Sequence, residues 1–195
     1  MKVINKNLEN ASLPFLRILK TYGVPSQSLT GLIKSTKGHL TEIIIINRCY
    51  NDNGHGCVIQ AIYQNCPNLK YLKLSLRNSG IPELEKLLIN CQYLNGLVIS
   101  KVDRETEWNG IFKILTKSSP VGLFKFKFYS LSLEWDSLKL FLDNWKDRHP
   151  MLLITYQDMS YEIEKYIVKG TVKKYDYLNL HWCDFEDFEW IQKNQ

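Results

Sequence analysis

The sequence predicts an α/β solenoid, a stack of strand-plus-helix units with parallel strands on a concave side and helices on a convex side. Three observations carry that expectation. First, Cys66-Pro67-Asn68-Leu69-Lys70-Tyr71-Leu72-Lys73-Leu74 and Cys91-Gln92-Tyr93-Leu94-Asn95-Gly96-Leu97-Val98-Ile99 both read C-x-x-L-x-x-L-x-L, 25 residues apart. Self-similarity at such a period marks a repeat array. Second, apolar residues at i, i+3, i+4 and i+7 precede each block, one face of a 3.6-residue period. Third, the block itself ends in a period-2 alternation, the signature of a strand. One such unit cannot cover its own apolar face, so neighbours must cover it.

The elements follow in order along the chain. Leu13, Leu16 and Ile18 offer the first strand pattern. Pro14 inside it suits an edge strand, because proline cannot donate to a ladder. Leu29, Leu32, Ile33 and Thr36 give a first helix face, and Leu40, Ile43 and Ile45 a second strand. Asn47 to Gly56 is polar and reads as a loop. Ile59, Ile62, Tyr63 and Cys66 form the next helix face, and Leu69, Leu72 and Leu74 its strand. Pro82 and Glu83 then open a helix: proline there loses no hydrogen bond, and negative charge is favoured at that end. Its face is Leu84, Leu87, Leu88 and Cys91, followed by a strand at Leu94, Leu97 and Ile99 and a loop from Lys101 to Glu105.

Ile111, Ile114, Leu115 and Ser118 make the next helix face. Phe124, Phe126 and Phe128 alternate with Lys125 and Lys127; a shift of two residues leaves the faces unchanged. Leu138, Phe141, Leu142 and Trp145 form a helix face, then Leu152, Ile154 and Tyr156 a strand. Ser160 is placed to cap a helix with face Ile163, Tyr166, Ile167 and Gly170. Val172, Tyr175 and Tyr177 close the series. The closing positions 36, 66, 91, 118, 145 and 170 are 30, 25, 27, 27 and 25 residues apart. No linker interrupts them, so residues 1–195 read as one domain, with repeats in 13–180 and an acidic aromatic tail in 181–195. That tail interleaves Asp184, Glu186, Asp187 and Glu189 with Phe185, Phe188 and Trp190. It either covers the open end of the stack, which every solenoid needs, or docks a partner; capping is the favoured reading.

Composition narrows the function classes. With 195 residues and 45% apolar content the chain can bury a sizeable core. The longest apolar run, Ile43 to Ile46, is too short for a membrane span. The N-terminus has no apolar signal region. Five scattered cysteines form no disulfide framework, which points to a reduced, cytoplasmic or nuclear setting. A net charge of +5 fits a solvated, mildly basic surface.

Little in the chain suggests chemistry. Cys66 and Cys91 close helix faces as small hydrophobes. His55-Gly56-Cys57 lacks a second ligand pair, so no metal is expected. Glu83 and Glu85 fall on different faces of their helix and read as solvated charges. No phosphate loop, nucleophile elbow or dinucleotide fingerprint occurs. Neither catalysis nor a cofactor is expected. Binding is the remaining class, and the residues between the core leucines point to the concave side: Glu42, Ile44, Tyr71, Lys73, Gly96, Val98, Lys125, Lys127, Tyr129 and Thr155. Tyrosines anchor and lysines steer, a mixture that suits a protein partner. A single nucleic acid strand would use similar residue types, but Glu42 interrupts the groove and no RNA-binding module is present.

The C-x-x-L-x-x-L-x-L block followed by a helix resembles the cysteine-containing leucine-rich repeats of F-box proteins. The wording of residues Ala61 to Leu72, Leu87 to Leu94, Phe112 to Pro120, Leu140 to Lys146 and Asp187 to Ile191 is similar to a large fungal F-box/leucine-rich-repeat family. The likeness runs from about Leu13 onward and implies a horseshoe of five to seven repeats. It also implies a substrate-recruiting role for a cullin-based ubiquitin ligase. Two departures stand out. No F-box precedes the repeats, so a Skp-type adaptor is implied only if an F-box lies upstream of this chain. The second cysteine of this repeat type is missing after Ile45, where Arg48 stands and Cys49 is one place off. A free-standing interaction module without a ligase role is the alternative.

Overall fold

The computed structural model describes residues 12–46, 54–101 and 108–177. Strands and helices alternate: β1 Ile18–Tyr22, α1 Ser26–Ser35, β2 Glu42–Ile46, α2 His55–Asn65, β3 Tyr71–Leu76, α3 Ile81–Asn90, β4 Gly96–Lys101, α4 Trp108–Ser118, β5 Lys125–Tyr129, α5 Trp135–Asn144, β6 Met151–Thr155, α6 Ser160–Val168 and β7 Val172–Tyr177. A short 3-10 turn, Asn78–Gly80, leads into α3. The seven strands form one all-parallel sheet in the order β1 to β7, so each strand neighbours the strands nearest in sequence.

The core follows from the repeat. Leu19, Ile43, Leu72, Leu97, Phe126, Leu153 and Tyr175 are paired in register across all seven strands. Leu40, Leu69, Leu94 and Leu123 are fully buried just before their strands. The apolar stripes of all six helices join these residues in one cluster running from Leu19 to Val172. Successive helices from α1 to α5 pack side by side. Tyr166 on α6 donates from its hydroxyl to Asp143 on α5 at 2.7 Å, tying the last helix into the row.

The turns between helix and strand also stack. The amide N–H of Asn95 donates to Lys70 O at 2.8 Å, and that of Lys70 to Thr41 O at 2.8 Å. Cys66 and Cys91 sit at the ends of α2 and α3, fully buried, and the Cys91 thiol lies 3.9 Å from Cys66 O. A cysteine fits there because a small apolar side chain can close the helix against the neighbouring turn.

Several sequence expectations need correction. The first strand is Ile18–Tyr22, with Leu19 and Thr21 rather than Ile18 on its core side; Ile18 is half exposed, while Leu13 and Leu16 precede the strand and pack against the core as expected. Pro14 lies in the turn before this strand, not within it. In β6 the faces are exchanged. Leu153 and Thr155 pair with Phe126 and Phe128 and point to the core, whereas Leu152 and Ile154 pair with Lys125 and Lys127. A one-residue slip moves every side chain to the other face. Ser160 is the first residue of α6 rather than its cap. Its N–H and hydroxyl both donate to Asp158 Oδ1, at 2.9 and 2.6 Å. The helix α2 begins at His55, inside the stretch expected to be loop. Residues 47–53 of that loop, including Arg48 and Cys49, most of the Lys101–Glu105 loop and the acidic aromatic tail lie outside the described residues.

Candidate binding face of the sheet

The alternation that sends leucines toward the helices sends the intervening residues to the opposite face. Register sets them in rows. Glu42, Tyr71, Gly96, Lys125 and Leu152 form one row across β2 to β6; Lys20, Ile44, Lys73, Val98, Lys127 and Ile154 form the next. Ser75, Ser100 and Tyr129 form a third. Of the residues expected on this face, Thr155 is misplaced. It is fully buried on the core side, where its hydroxyl lies 2.6 Å from Gln157 O and 2.8 Å from the Tyr175 hydroxyl.

The remaining residues interlock. Gly96 carries no side chain, so Tyr71 on β3 and Lys125 on β5 meet across β4. The Lys125 ammonium donates to the Tyr71 hydroxyl at 3.2 Å and lies 5.2 Å from that ring's centroid. It lies as close to the Phe124 ring, 5.2 Å. The Lys73 ammonium sits 5.1 Å from the Tyr129 ring, again across β4. Ring faces attract cations, by about 0.5–1 kcal/mol at exposed sites and ~2 kcal/mol when water is excluded. Val98 packs with Tyr71, Tyr129 and Leu152 in an apolar cluster of its own, separate from the main core. At the rim Glu42 pairs with Lys20 at 3.9 Å.

What holds the two lysines of β5 in place is the aromatic cluster beneath them. Phe126 and Phe128 alternate with Lys125 and Lys127 and pack into Phe112, Phe141 and Trp145, with ring centroids about 5–6 Å apart. The rings leave β5 no freedom to slip, so both ammonium groups are delivered to the opposite face.

Burial pushes the thiols of Cys66 and Cys91 up to about 12, and for Cys66 the neighbouring Cys91 adds to the effect, so both remain protonated and unreactive. A cavity lined by Leu29, Ile45, Ile59 and Leu74 offers about 20 Å³, room for one water and not for a substrate. Among the described residues no group of three His, Cys, Asp or Glu is arranged to hold a metal. No helix among them is long and apolar enough to cross a membrane.

Two acids that read as merely solvated turn out to bridge helices. Glu83 accepts from the Tyr63 hydroxyl on α2 at 2.9 Å and from Lys86 at 2.8 Å. Glu85 accepts from Lys117 and Ser118 on α4, at 3.1 and 3.0 Å. Sequence reasoning also missed Leu152 and Ile154 on this candidate face; the parity of Lys125 and Lys127 would have found them once the pairing of β5 with β6 was known.

Comparison with protein-family models finds no match to this chain, and comparison with curated proteins finds none either.

Proposed function

We propose that this chain is a leucine-rich-repeat solenoid that recognises a protein partner, without catalysis, through the sheet face opposite its helices. The observation that carries the reading is the in-register arrangement of Lys73, Val98 and Lys127 beside Tyr71 and Tyr129 on that face. Apolar and aromatic centres with charged neighbours are what protein interfaces use. The sequential strand order supports a solenoid, since a doubly wound nucleotide fold reverses its strand order at a switch point. The resemblance of the repeats to F-box proteins makes the partner a substrate of a ubiquitin ligase, and any Skp-type adaptor would bind through sequence upstream.

The test is selection of displayed 12-residue peptides on the full chain. Enriched peptides should lose at least about tenfold in affinity, ~1.4 kcal/mol, on Tyr71→Ala with Tyr129→Ala. The circular dichroism of that variant should match the parent. Peptides that bind the variant equally well would move recognition elsewhere, and failure to enrich any peptide would remove the reading. For the ligase role, an extended chain that contains the upstream sequence should co-purify with a Skp-type adaptor. Failure to do so would leave an interaction module without ligase membership.

A further inference from the structure

At the β7 end of the stack, positions that are core in every earlier unit come to the surface. On the helix stripes Ile33, Leu88, Leu115 and Leu142 are buried. The residue at the same place on α6, Ile167, is 43% exposed. In the row of core residues across the sheet, Leu19, Ile43, Leu72, Leu97, Phe126 and Leu153 are buried, and Tyr175 on β7 is only half-buried. Val168, next to Ile167 on α6, is 84% exposed. β7 is the last strand of the sheet, and among the described residues no strand pairs with its outer side. An edge strand offers a row of backbone N–H and C=O groups to another strand.

The charges of β7 select what can pair there. Val172–Tyr177 reads V-K-K-Y-D-Y, and Lys173, Lys174 and Asp176 are exposed. Lysines on an edge usually keep a foreign strand away. A second copy of β7 is different, because its Asp176 offers the carboxylate that Lys174 would meet. Two copies related by a two-fold axis normal to the sheet pair antiparallel, and residues directly opposite point to the same face. The axis therefore passes through a residue, not between two. Centred on Lys173, Lys174 or Asp176, it sets like charges against each other. Centred on Tyr175, it sets Lys174 opposite Asp176 of the second copy, and Asp176 opposite Lys174 of that copy. Opposite charges across a strand pair stabilise it, and like charges destabilise it. Tyr175 is also anchored: its hydroxyl accepts from the Met159 N–H at 2.8 Å and lies 2.8 Å from Thr155 Oγ1. The register shift between Met151 and Leu152 makes Lys173 the extra residue of a bulge, so regular pairing with β6 resumes at Lys174.

We propose that β7 is a self-association surface: a second copy of this chain pairs its own β7 antiparallel across Tyr175 and joins the two sheets into one. The Lys174–Asp176 pair forms twice, once on each side of the axis. The same axis brings the two α6 helices side by side, and Ile167 and Val168 of each copy bury against the other. Tyr71, Lys73, Val98 and Lys127 take no part, so self-association stands or falls separately from recognition by their face.

The test is sedimentation equilibrium of the full chain and of charge variants at these exposed positions, with circular dichroism to check each fold. The parent should dimerise. Lys174→Asp and Asp176→Lys each place like charges across the axis twice, and each should weaken the dimer at least about tenfold. Lys174→Asp together with Asp176→Lys restores both pairs, and should return the dimer to within about threefold of the parent. A mixture of Lys174→Asp chains with Asp176→Lys chains should form a one-to-one dimer at least about tenfold tighter than either variant forms alone, because one copy then presents two carboxylates and the other two ammonium groups. Damage to the strand would not be repaired by mixing, so the mixture separates charge pairing from loss of folding. A parent that stays monomeric at about 100 μM, well above the micromolar limit usual for specific interfaces, would overturn the proposal; the end of the stack would then be covered by other sequence of this chain or by a different partner. Undiminished dimers of the single variants, or a mixture no tighter than its components, would overturn it equally.

Discussion

Replacing Phe141 by alanine puts the packing of the aromatic core beneath β5 to the test. Phe141 is 1% exposed on α5. Its ring lies 4.8 Å from Phe112, 5.3 Å from Trp145, 5.5 Å from Phe126 and 6.0 Å from Phe128, centroid to centroid. Truncating a buried phenylalanine costs roughly 3–5 kcal/mol, the transfer term plus the cavity left behind. The upper half of that range applies here, because four aromatic neighbours lose a partner and rigid rings collapse poorly into a void. A domain of this kind has about 5–15 kcal/mol in total, so the loss is a large fraction. At about 2–4 °C per kcal/mol for this size, the melting temperature should fall by roughly 8–20 °C. The control is Leu140→Ala, next door and 53% exposed, which should cost no more than about 0.5 kcal/mol. Urea unfolding of the full chain, followed by far-ultraviolet circular dichroism, measures both. Stacked units need not unfold together, so the Phe141→Ala transition should broaden as α4 to α6 melt ahead of the rest. Equal stability of the two variants, or a Phe141→Ala cost under about 1 kcal/mol, would refute the packing argument.

Other consequences are simpler to read. Iodoacetamide at pH 8 should modify exposed Cys57 in the folded chain and reach Cys66 and Cys91 only in denaturant, as mass spectrometry of peptides will show. Gly170→Ala should cost about 1–2 kcal/mol: Gly170 ends α6 with φ +76°, and the Thr171 N–H donates to Tyr166 O at 2.9 Å in a Schellman closure. Glu83 and Glu85 are held below the usual carboxylate range, chiefly by hydrogen bonds from Lys86 and Lys117. A depressed folded pKa gives stability that is present above the unfolded value, about 4.3, and lost as pH falls through the folded one. Glu83→Gln with Glu85→Gln should therefore flatten the decline in unfolding free energy below about pH 5, and added salt should shrink the difference.

The parts of the fold that were plain in the sequence are those where only one parity of the strand is apolar, or where a helix stripe is unbroken. Leu72 and Leu74 alternate with Tyr71 and Lys73, and Phe126 and Phe128 with Lys125 and Lys127, so their faces could be assigned before any pairing was known. Met151-Leu152-Leu153-Ile154 is apolar at both parities. Nothing local distinguishes its two faces, and hydrogen bonding to β5 alone sends Leu153 and Thr155 inward. Leu13, Leu16 and Leu19 are spaced by threes, so the first unit could slide along its own pattern until pairing with β2 stopped it. Glu83 and Glu85 reach partners on two other helices, contacts that no spacing along one helix can announce.

Local chemistry thus determined by itself that this chain alternates strand and helix, that the central leucines and cysteines are core, and that Tyr71, Lys73, Val98, Lys125 and Lys127 share the face away from the helices. Those features depend on side chains a few residues apart, and their periods of 2 and 3.6 are written in the sequence. The register of the first and sixth strands, the inward turn of Thr155 and the meeting of Lys125 with Tyr71 over Gly96 were decided by tertiary structure. They depend on which strands lie side by side, and hydrogen bonding between distant segments settles that only when the whole sheet assembles.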